Sequence, residues 1–289
     1  MSYGKIVTAM VTPFDGQLRI NWDETGRLVD YLIAEQGTDS IVVSGTTGES
    51  PTLTDEEKLE LFRFVVKRAA GRCKIIAGTG SNNTAHSIHL TREAEKCGVD
   101  AALLVAPYYN KPDQEGLYRH FKAIAEKTSL PIMLYNIPGR SIVQIHTETI
   151  LRLAEIENIV AIKECGPLDH IAELYGKAPE HFLIYSGDDS ALLPVLSIGG
   201  VGIVSVASHV IGRRMRVMIE AFFAGDYTKA AKLHAELLPI FKGLFVTPSP
   251  GPVKAALKLH GIEAGEVRLP LVMPNEDKLR QIAALFHRP

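Results

Sequence analysis

Eight short apolar runs rich in β-branched residues recur along this chain, each followed by a stretch with helical periodicity. The runs fall near residues 6–12, 40–45, 74–79, 101–107, 131–136, 159–164, 182–187 and 202–207. Helical patterns lie between them, as at 83–97 and at 54–71, where Thr54-Asp55-Glu56-Glu57 reads as a capping box. A repeat of about 30 residues suits a strand–helix–strand unit. Eight such units with no shift in composition predict an α/β fold of the (β/α)₈ TIM-barrel kind. A doubly wound open sheet is the competitor, because its strands are equally apolar; the count of eight favours a closed barrel.

On this reading residues 1–224 form the barrel and 225–289 a small helical C-terminal extension, broken by Pro248-Ser249-Pro250-Gly251-Pro252. The formal net charge of −2 gives no basic footprint for nucleic acid. No apolar stretch is long enough to span a bilayer, and the first residues lack the charged and apolar regions of a leader, so a cytoplasmic protein is expected. The three cysteines, Cys73, Cys97 and Cys165, are odd in number and lack metal-ligand spacing, which implies reduced thiols.

Lys163 interrupts the sixth apolar run, Ile159-Val160-Ala161-Ile162-Lys163-Glu164. Lysine is almost never fully buried without a partner or a task, because desolvating an ammonium is costly. One reading is a strand-end lysine that packs its stem and snorkels to water. The other is catalytic: burial favours the neutral amine, which attacks a carbonyl carbon to give a Schiff base. Strand alternation puts Cys165 on the same face, where a small core filler is the plainer reading.

In a (β/α)₈ barrel, chemistry sits at the C-terminal ends of the strands. The second run ends in Ser44-Gly45-Thr46-Thr47-Gly48-Glu49, which is no Walker loop but offers hydroxyls and backbone N–H groups suited to a carboxylate. The fourth ends in Pro107-Tyr108-Tyr109-Asn110, the fifth in Tyr135-Asn136-Ile137-Pro138-Gly139-Arg140. The tyrosines are either satisfied core residues or proton carriers. Arg140 is either a surface ion-pair partner or a clamp for a substrate carboxylate. The seventh run ends in Ser186-Gly187-Asp188-Asp189; before the eighth, Gly199-Gly200-Val201-Gly202 has a minor reading as a phosphate cradle.

Taken together, Gly45-Thr46-Thr47-Gly48-Glu49-Ser50, Tyr135 to Arg140, Lys163 before Glu164, Gly187-Asp188-Asp189 and the segment 252–258 resemble the dihydrodipicolinate synthase (4-hydroxy-tetrahydrodipicolinate synthase) family over essentially the whole chain. Ser249 departs from it, where the family pattern carries Asn. The wider superfamily, which includes N-acetylneuraminate lyase and keto-deoxy-sugar acid aldolases, shares the lysine, the tyrosine and much of the glycine-rich loop. Thr47 and Arg140 favour the synthase branch.

The resemblance implies that Lys163 forms an imine with pyruvate and that the derived enamine adds to L-aspartate 4-semialdehyde. Thr46 and Thr47 would hold the pyruvate carboxylate, with Gly187 and the eighth-strand residue Val204 completing that pocket. Tyr135 would move protons through Thr47 and Tyr109. Tyr109 would come from a neighbouring subunit, in a homotetramer built as a dimer of dimers. Arg140 would bind the semialdehyde carboxylate, and neither metal nor organic cofactor is implied.

Regulated members hold L-lysine at the dimer interface. Of that pattern Ser50, Asn82 and Tyr108 are present, but Asp55 and Lys58 stand at histidine positions and His86 at the acidic one. Weak or absent feedback by lysine is therefore expected. The rival functions are another Schiff-base aldolase on this scaffold, a metal-dependent aldolase and a keto-acid-binding regulator without turnover. The metal-dependent reading needs clustered ligands; His86 and His89 share a helix face but lie away from a strand end.

Overall fold

In the computed structural model, residues 2–286 are described. The strands are β1 (Ile6–Ala9), β2 (Ser40–Val43), β3 (Lys74–Gly78), β4 (Ala101–Val105), β5 (Ile132–Asn136), β6 (Ile159–Glu164), β7 (Leu183–Ser186) and β8 (Gly202–Ser205). All pair in parallel with their sequence neighbours, and β8 pairs with β1, which closes the barrel. The eight expected runs are the eight strands, and the open-sheet alternative is set aside.

The helices are α1 (Trp22–Ala34), α2 (Asp55–Ala69), α3 (Thr84–Lys96), α4 (Gln114–Ala125), the single turn α5 (Pro138–Ser141), α6 (Thr147–Ala154), α7 (Leu168–Lys177), α8 (Leu192–Ile198) and α9 (Ser208–Phe223). Three more follow: α10 (Tyr227–Gly243), α11 (Gly251–Leu259) and α12 (Glu276–Ala284). The expected boundary at 224/225 falls in the short connection between α9 and α10. Local sequence sets the helix starts. Thr54 accepts a hydrogen bond from the Glu57 amide while the Glu57 carboxylate accepts one from the Thr54 amide, the reciprocal capping box expected there. Asn21, Asn83 and Asp113 cap α1, α3 and α4 one-sidedly, each side chain accepting from a first-turn amide.

Strand alternation sorts the apolar residues into two layers. Val7, Val42, Ile76, Leu103, Met133, Ala161 and Val204 fill the barrel interior. Ile6, Ile41, Ile75, Leu134, Ile162 and Ile203 face the helices in a second cluster that runs on into Leu237, Ile240, Val253 and Leu257 of the last helices. The extension therefore shares the barrel's core. Because Ala161 faces inward, Lys163 two residues on does too.

Gly199 and Gly200 precede β8 and Gly202 opens it, at the end of the barrel opposite the strand C-termini. The phosphate reading therefore does not hold. A Cβ at Gly202 would stand 2.4 Å from the Lys5 carbonyl oxygen, so close backbone packing accounts for that glycine. At the other end of β8, the Asp189 carboxylate accepts from the amides of Val206 (3.2 Å) and Ala207 (3.0 Å) ahead of α9.

Candidate active site

The C-terminal mouth of the barrel holds a cavity of about 460 Å³. Thr46, Tyr135 and Arg140 line one part of it, Ser50, Lys58, Asn82, His86 and Tyr108 another.

Lys163 is 6 % exposed, and its Nζ lies 4.0 Å from the centroid of the Tyr135 ring. The two residues are direct partners across β5 and β6. Burial raises the pKa of the Tyr135 phenol, opposed by the charge of Lys163 and by hydrogen bonding with Lys163 and Thr46. The phenol is thus held protonated beside an amine and a hydroxyl. Gly187 is explained by contact: a Cβ there would come within 3.0 Å of Lys163 Cγ and Cε and 2.2 Å of Cys165 Sγ. Burial pushes the Cys165 thiol up to about 12, which suits an inert filler. Val204 is buried in the same inner layer.

The loop after β2 is turned tightly on itself. The amides of Glu49 and Ser50 donate to the carbonyls of Thr46 (3.1 Å) and Gly45 (3.2 Å), and Thr12 Oγ1 donates to Gly48 O at 2.7 Å. Ser44 and Glu49 take left-handed backbone, φ 57° and 59°. Among the described residues, the amides of Thr46, Thr47 and Gly48 have no hydrogen-bond partner. Thr47 is buried and Thr46 borders the cavity. The loop can therefore offer N–H and O–H donors to an anion.

Tyr109 is not brought into the cavity by its own chain: it is 87 % exposed, with φ 73°. Its neighbours are fixed, since Asn82 Nδ2 donates to the Tyr108 carbonyl (3.1 Å) and Asn110 Nδ2 to the Asn82 carbonyl (2.9 Å). Arg140 lies on α5 at the cavity edge and makes no ion pair with a described residue. Asp55 bridges the remaining expected positions, its carboxylate 2.8 Å from His86 Nε2 and 3.4 Å from Lys58 Nζ. Against burial, which raises it, the His86 hydrogen bond and the charges of His86 and Lys58 hold the Asp55 carboxyl below its ordinary pKa.

Two constellations escaped the sequence reading. Asn136 Nδ2 donates to both oxygens of Glu164 (3.1 and 3.0 Å), and Asn136 Oδ1 accepts from the Ile145 amide (3.0 Å). The Glu164 carboxylate also accepts from Gly166 N (2.7 Å) and lies 3.4 Å from His170 Nε2. The second is a buried ion pair, Lys254 Nζ to Glu49 Oε1 at 2.8 Å. Burial pulls Lys254 down to about 8 in spite of Glu49. A signal existed for it, because Lys254 sits in the apolar stretch Pro252 to Leu257 much as Lys163 sits in its strand.

Among the described residues, no three His, Cys, Asp or Glu side chains gather as a metal site, and no helix is long and apolar enough to cross a membrane. Fold and site define a (β/α)₈ barrel with a polar-lined cavity and a buried lysine at the strand C-termini, the end where barrel enzymes carry their active sites. Sequence comparison places that class within one family. The chain belongs to the dihydrodipicolinate synthetase family, whose sequence model matches residues 2–288. It is 59 % identical over 283 residues to 4-hydroxy-tetrahydrodipicolinate synthase 1 of Halalkalibacterium halodurans, covering 98 % of this chain and 96 % of the relative. The crystal structure of a dihydrodipicolinate synthase from Bacillus anthracis superposes with TM-score 0.97 and 56 % identity, covering 99 % of this chain and 98 % of that one. A dihydrodipicolinate synthase from Cyanidioschyzon merolae, crystallised with lysine bound, gives TM-score 0.96 and 45 % identity, covering 98 % and 97 %. The chain is accordingly an enzyme, a lyase of the 4-hydroxy-tetrahydrodipicolinate synthase kind, from a family of lysine and diaminopimelate biosynthesis.

Proposed function

We propose that this enzyme condenses pyruvate with L-aspartate 4-semialdehyde through a Schiff base on Lys163. The observation that carries the reading is the buried Lys163 amine against the face of Tyr135, beside a loop with free N–H groups. The unprotonated amine attacks C2 of pyruvate, and loss of water leaves a protonated imine. That imine is an electron sink, so a C3 proton departs and an enamine forms. C3 then attacks the aldehyde carbon of the semialdehyde, whose oxygen takes a proton and becomes the hydroxyl. Finally the semialdehyde's own amine attacks C2 and expels Lys163 as the ring closes.

Thr46, Thr47 and the amides beside them hold the pyruvate carboxylate, with Gly187 and Val204 shaping the pocket. Tyr135 carries protons to and from the imine and aldehyde oxygens, relayed through Thr47 and Tyr109. Arg140, at the cavity edge and in no ion pair among the described residues, takes the semialdehyde carboxylate in bidentate fashion. The exposure of Tyr109 supports its entry into the site of a second copy, in a dimer that assembles further to a tetramer. The lysine-bound relative raises the question of feedback; here Lys58 and His86 line part of the cavity at the barrel mouth, with Asp55 tied to both.

Borohydride reduction with pyruvate, followed by peptide mass spectrometry, tests the covalent step: one reduced pyruvyl group is expected on Lys163. Turnover with L-aspartate 4-semialdehyde, and none with sugar-derived keto acids, tests the acceptor. An adduct on another lysine, or the reverse acceptor preference, overturns the assignment.

A further inference from the structure

The C-terminal extension reaches the catalytic end of the barrel through two of its basic residues, Lys254 and Arg268. Lys254 of α11 and Glu49 of the loop after β2 are both fully shielded from solvent, with Nζ 2.8 Å from Oε1. The Lys254 ammonium donates to the Glu266 carbonyl at 2.7 Å and sits 4.3 Å above the Phe14 ring. The other oxygen of Glu49 accepts from the Arg268 amide at 2.8 Å. The Arg268 guanidinium continues the grip, donating to Thr52 O (2.8 Å) and to both oxygens of Glu57 in α2 (2.8 and 2.6 Å).

Apolar side chains of similar volume would stabilise such a buried contact at least as well as an ion pair. What an ion pair adds is direction. Glu49 needs that, because its backbone is left-handed, as is that of Ser44 at the other end of the turn. Between those two strained residues lie Thr46, Thr47 and their unpartnered amides. We propose that Lys254 and Glu49 are positioning residues: the extension holds the Thr46–Thr47 turn in the shape that receives the keto-acid carboxylate. This rests on the proposed reading that the turn binds that carboxylate. Arg140, which serves the second substrate, sits on α5 outside this clamp.

The deciding variants are Glu49→Gln, which keeps the acceptor for the Arg268 amide, and Lys254→Met/Glu49→Gln, which removes both charges together. In each, kcat/KM for pyruvate is expected to fall about 10-fold while kcat/KM for the semialdehyde stays within about twofold. Equal losses for both substrates would mean that the pair only keeps enzyme folded. No loss in the double variant would mean that apolar packing does as well. Either result overturns the proposal. Hydrogen exchange over residues 44–53 gives a substrate-free reading, expected to quicken in both variants and not elsewhere at the barrel mouth. If wild-type enzyme formed no pyruvate adduct while this exchange still quickened, the proposed reaction would fail and the clamp would stand. Unchanged exchange sinks the clamp whatever the substrate.

Discussion

Lys163 and Tyr135 are Cα partners on adjacent strands, and the Lys163 amine sits 4.0 Å from the centre of the tyrosine ring. Parallel pairing thus puts the amine and the phenol, the proposed nucleophile and proton carrier, side by side without a loop to position either. One residue further on, Asn136 and Glu164 repeat the pairing on the opposite face, with two hydrogen bonds between fully buried side chains. Asn136 also holds Ile145, so the strand of Tyr135, the strand of Lys163 and the segment after Arg140 meet at one amide.

That pairing predicts how the two residues divide the work. Lys163→Ala is expected to lose the borohydride-trapped adduct and nearly all turnover. Tyr135→Phe keeps the ring against the amine but removes the hydroxyl, so the adduct should form slowly and kcat should drop about 10²–10⁴-fold. Full activity in either variant contradicts this division between nucleophile and proton carrier.

Arg140 makes no ion pair among the described residues, so removing it leaves no buried partner among them uncompensated. Arg140→Ala should therefore fold normally and still trap pyruvate, while kcat/KM for the semialdehyde falls about 10²-fold, on the scale of a charge-assisted hydrogen-bonded pair. Loss of pyruvate trapping would assign Arg140 to the first substrate instead.

Much of this was legible in the sequence, for physical reasons. Strands buried on both faces must be apolar throughout, so β2, β4 and β6 stand out as runs such as Ser40–Val43. Period-two alternation then gives the inward face of Lys163. The ends of runs are less informative, because the first run, read to residue 12, pairs only to Ala9. Contacts between distant segments leave no local trace. Glu49 and Lys254 are some two hundred residues apart: the apolar stretch around Lys254 marks a buried lysine, but nothing near it names Glu49 as the partner. Asn136 and Glu164 each look like a polar strand end. The glycines at 199–202 misled for a related reason, since tight backbone packing and anion cradles call for the same residue.

Acid stability should depend on His209. It is fully buried, its Nδ1 2.8 Å from the Val206 carbonyl, and its Nε2 accepts from the Val11 amide at 3.1 Å. An amide only donates, so Nε2 is unprotonated and Nδ1 carries the hydrogen. A second proton would set two donors face to face. Burial lowers its pKa to about 4, below the unfolded value of about 6.5. The folded state then binds fewer protons, so stability present above pH 6.5 is lost as pH falls toward 4, by up to about 3 kcal/mol. Asp189, raised by burial to about 6, works in the opposite sense below that pH. Urea unfolding at fixed protein concentration should show His209→Gln less stable at pH 7.5 and less sensitive between pH 6.5 and 5. Equal pH slopes would remove His209 from the account.

Weak or absent inhibition by L-lysine is the last expectation. Lysine brings two ammonium groups and therefore needs carboxylate or carbonyl acceptors. The cavity is bordered by Lys58, His86 and Arg140, and among the described residues no Asp or Glu lines it, so its acceptors are the neutral ones of Asn82, Asn83 and the serines. The nearby carboxylate, Asp55, is already bonded to His86 at 2.8 Å and paired with Lys58 at 3.4 Å. An ammonium brought about 4 Å from the Lys58 charge faces up to roughly 4 kcal/mol of repulsion near the surface, more than an allosteric coupling of about 1–3 kcal/mol supplies. Only the swing of Asp55 away from both partners would relieve it, at the cost of leaving the Lys58 ammonium without its carboxylate. Initial rates at subsaturating pyruvate should stay within about twofold of the uninhibited rate up to millimolar lysine. Lys58→His with His86→Glu should restore an acceptor and with it measurable inhibition. Half-inhibition of the unaltered enzyme below millimolar lysine would show that Asp55 moves and serves as the acceptor.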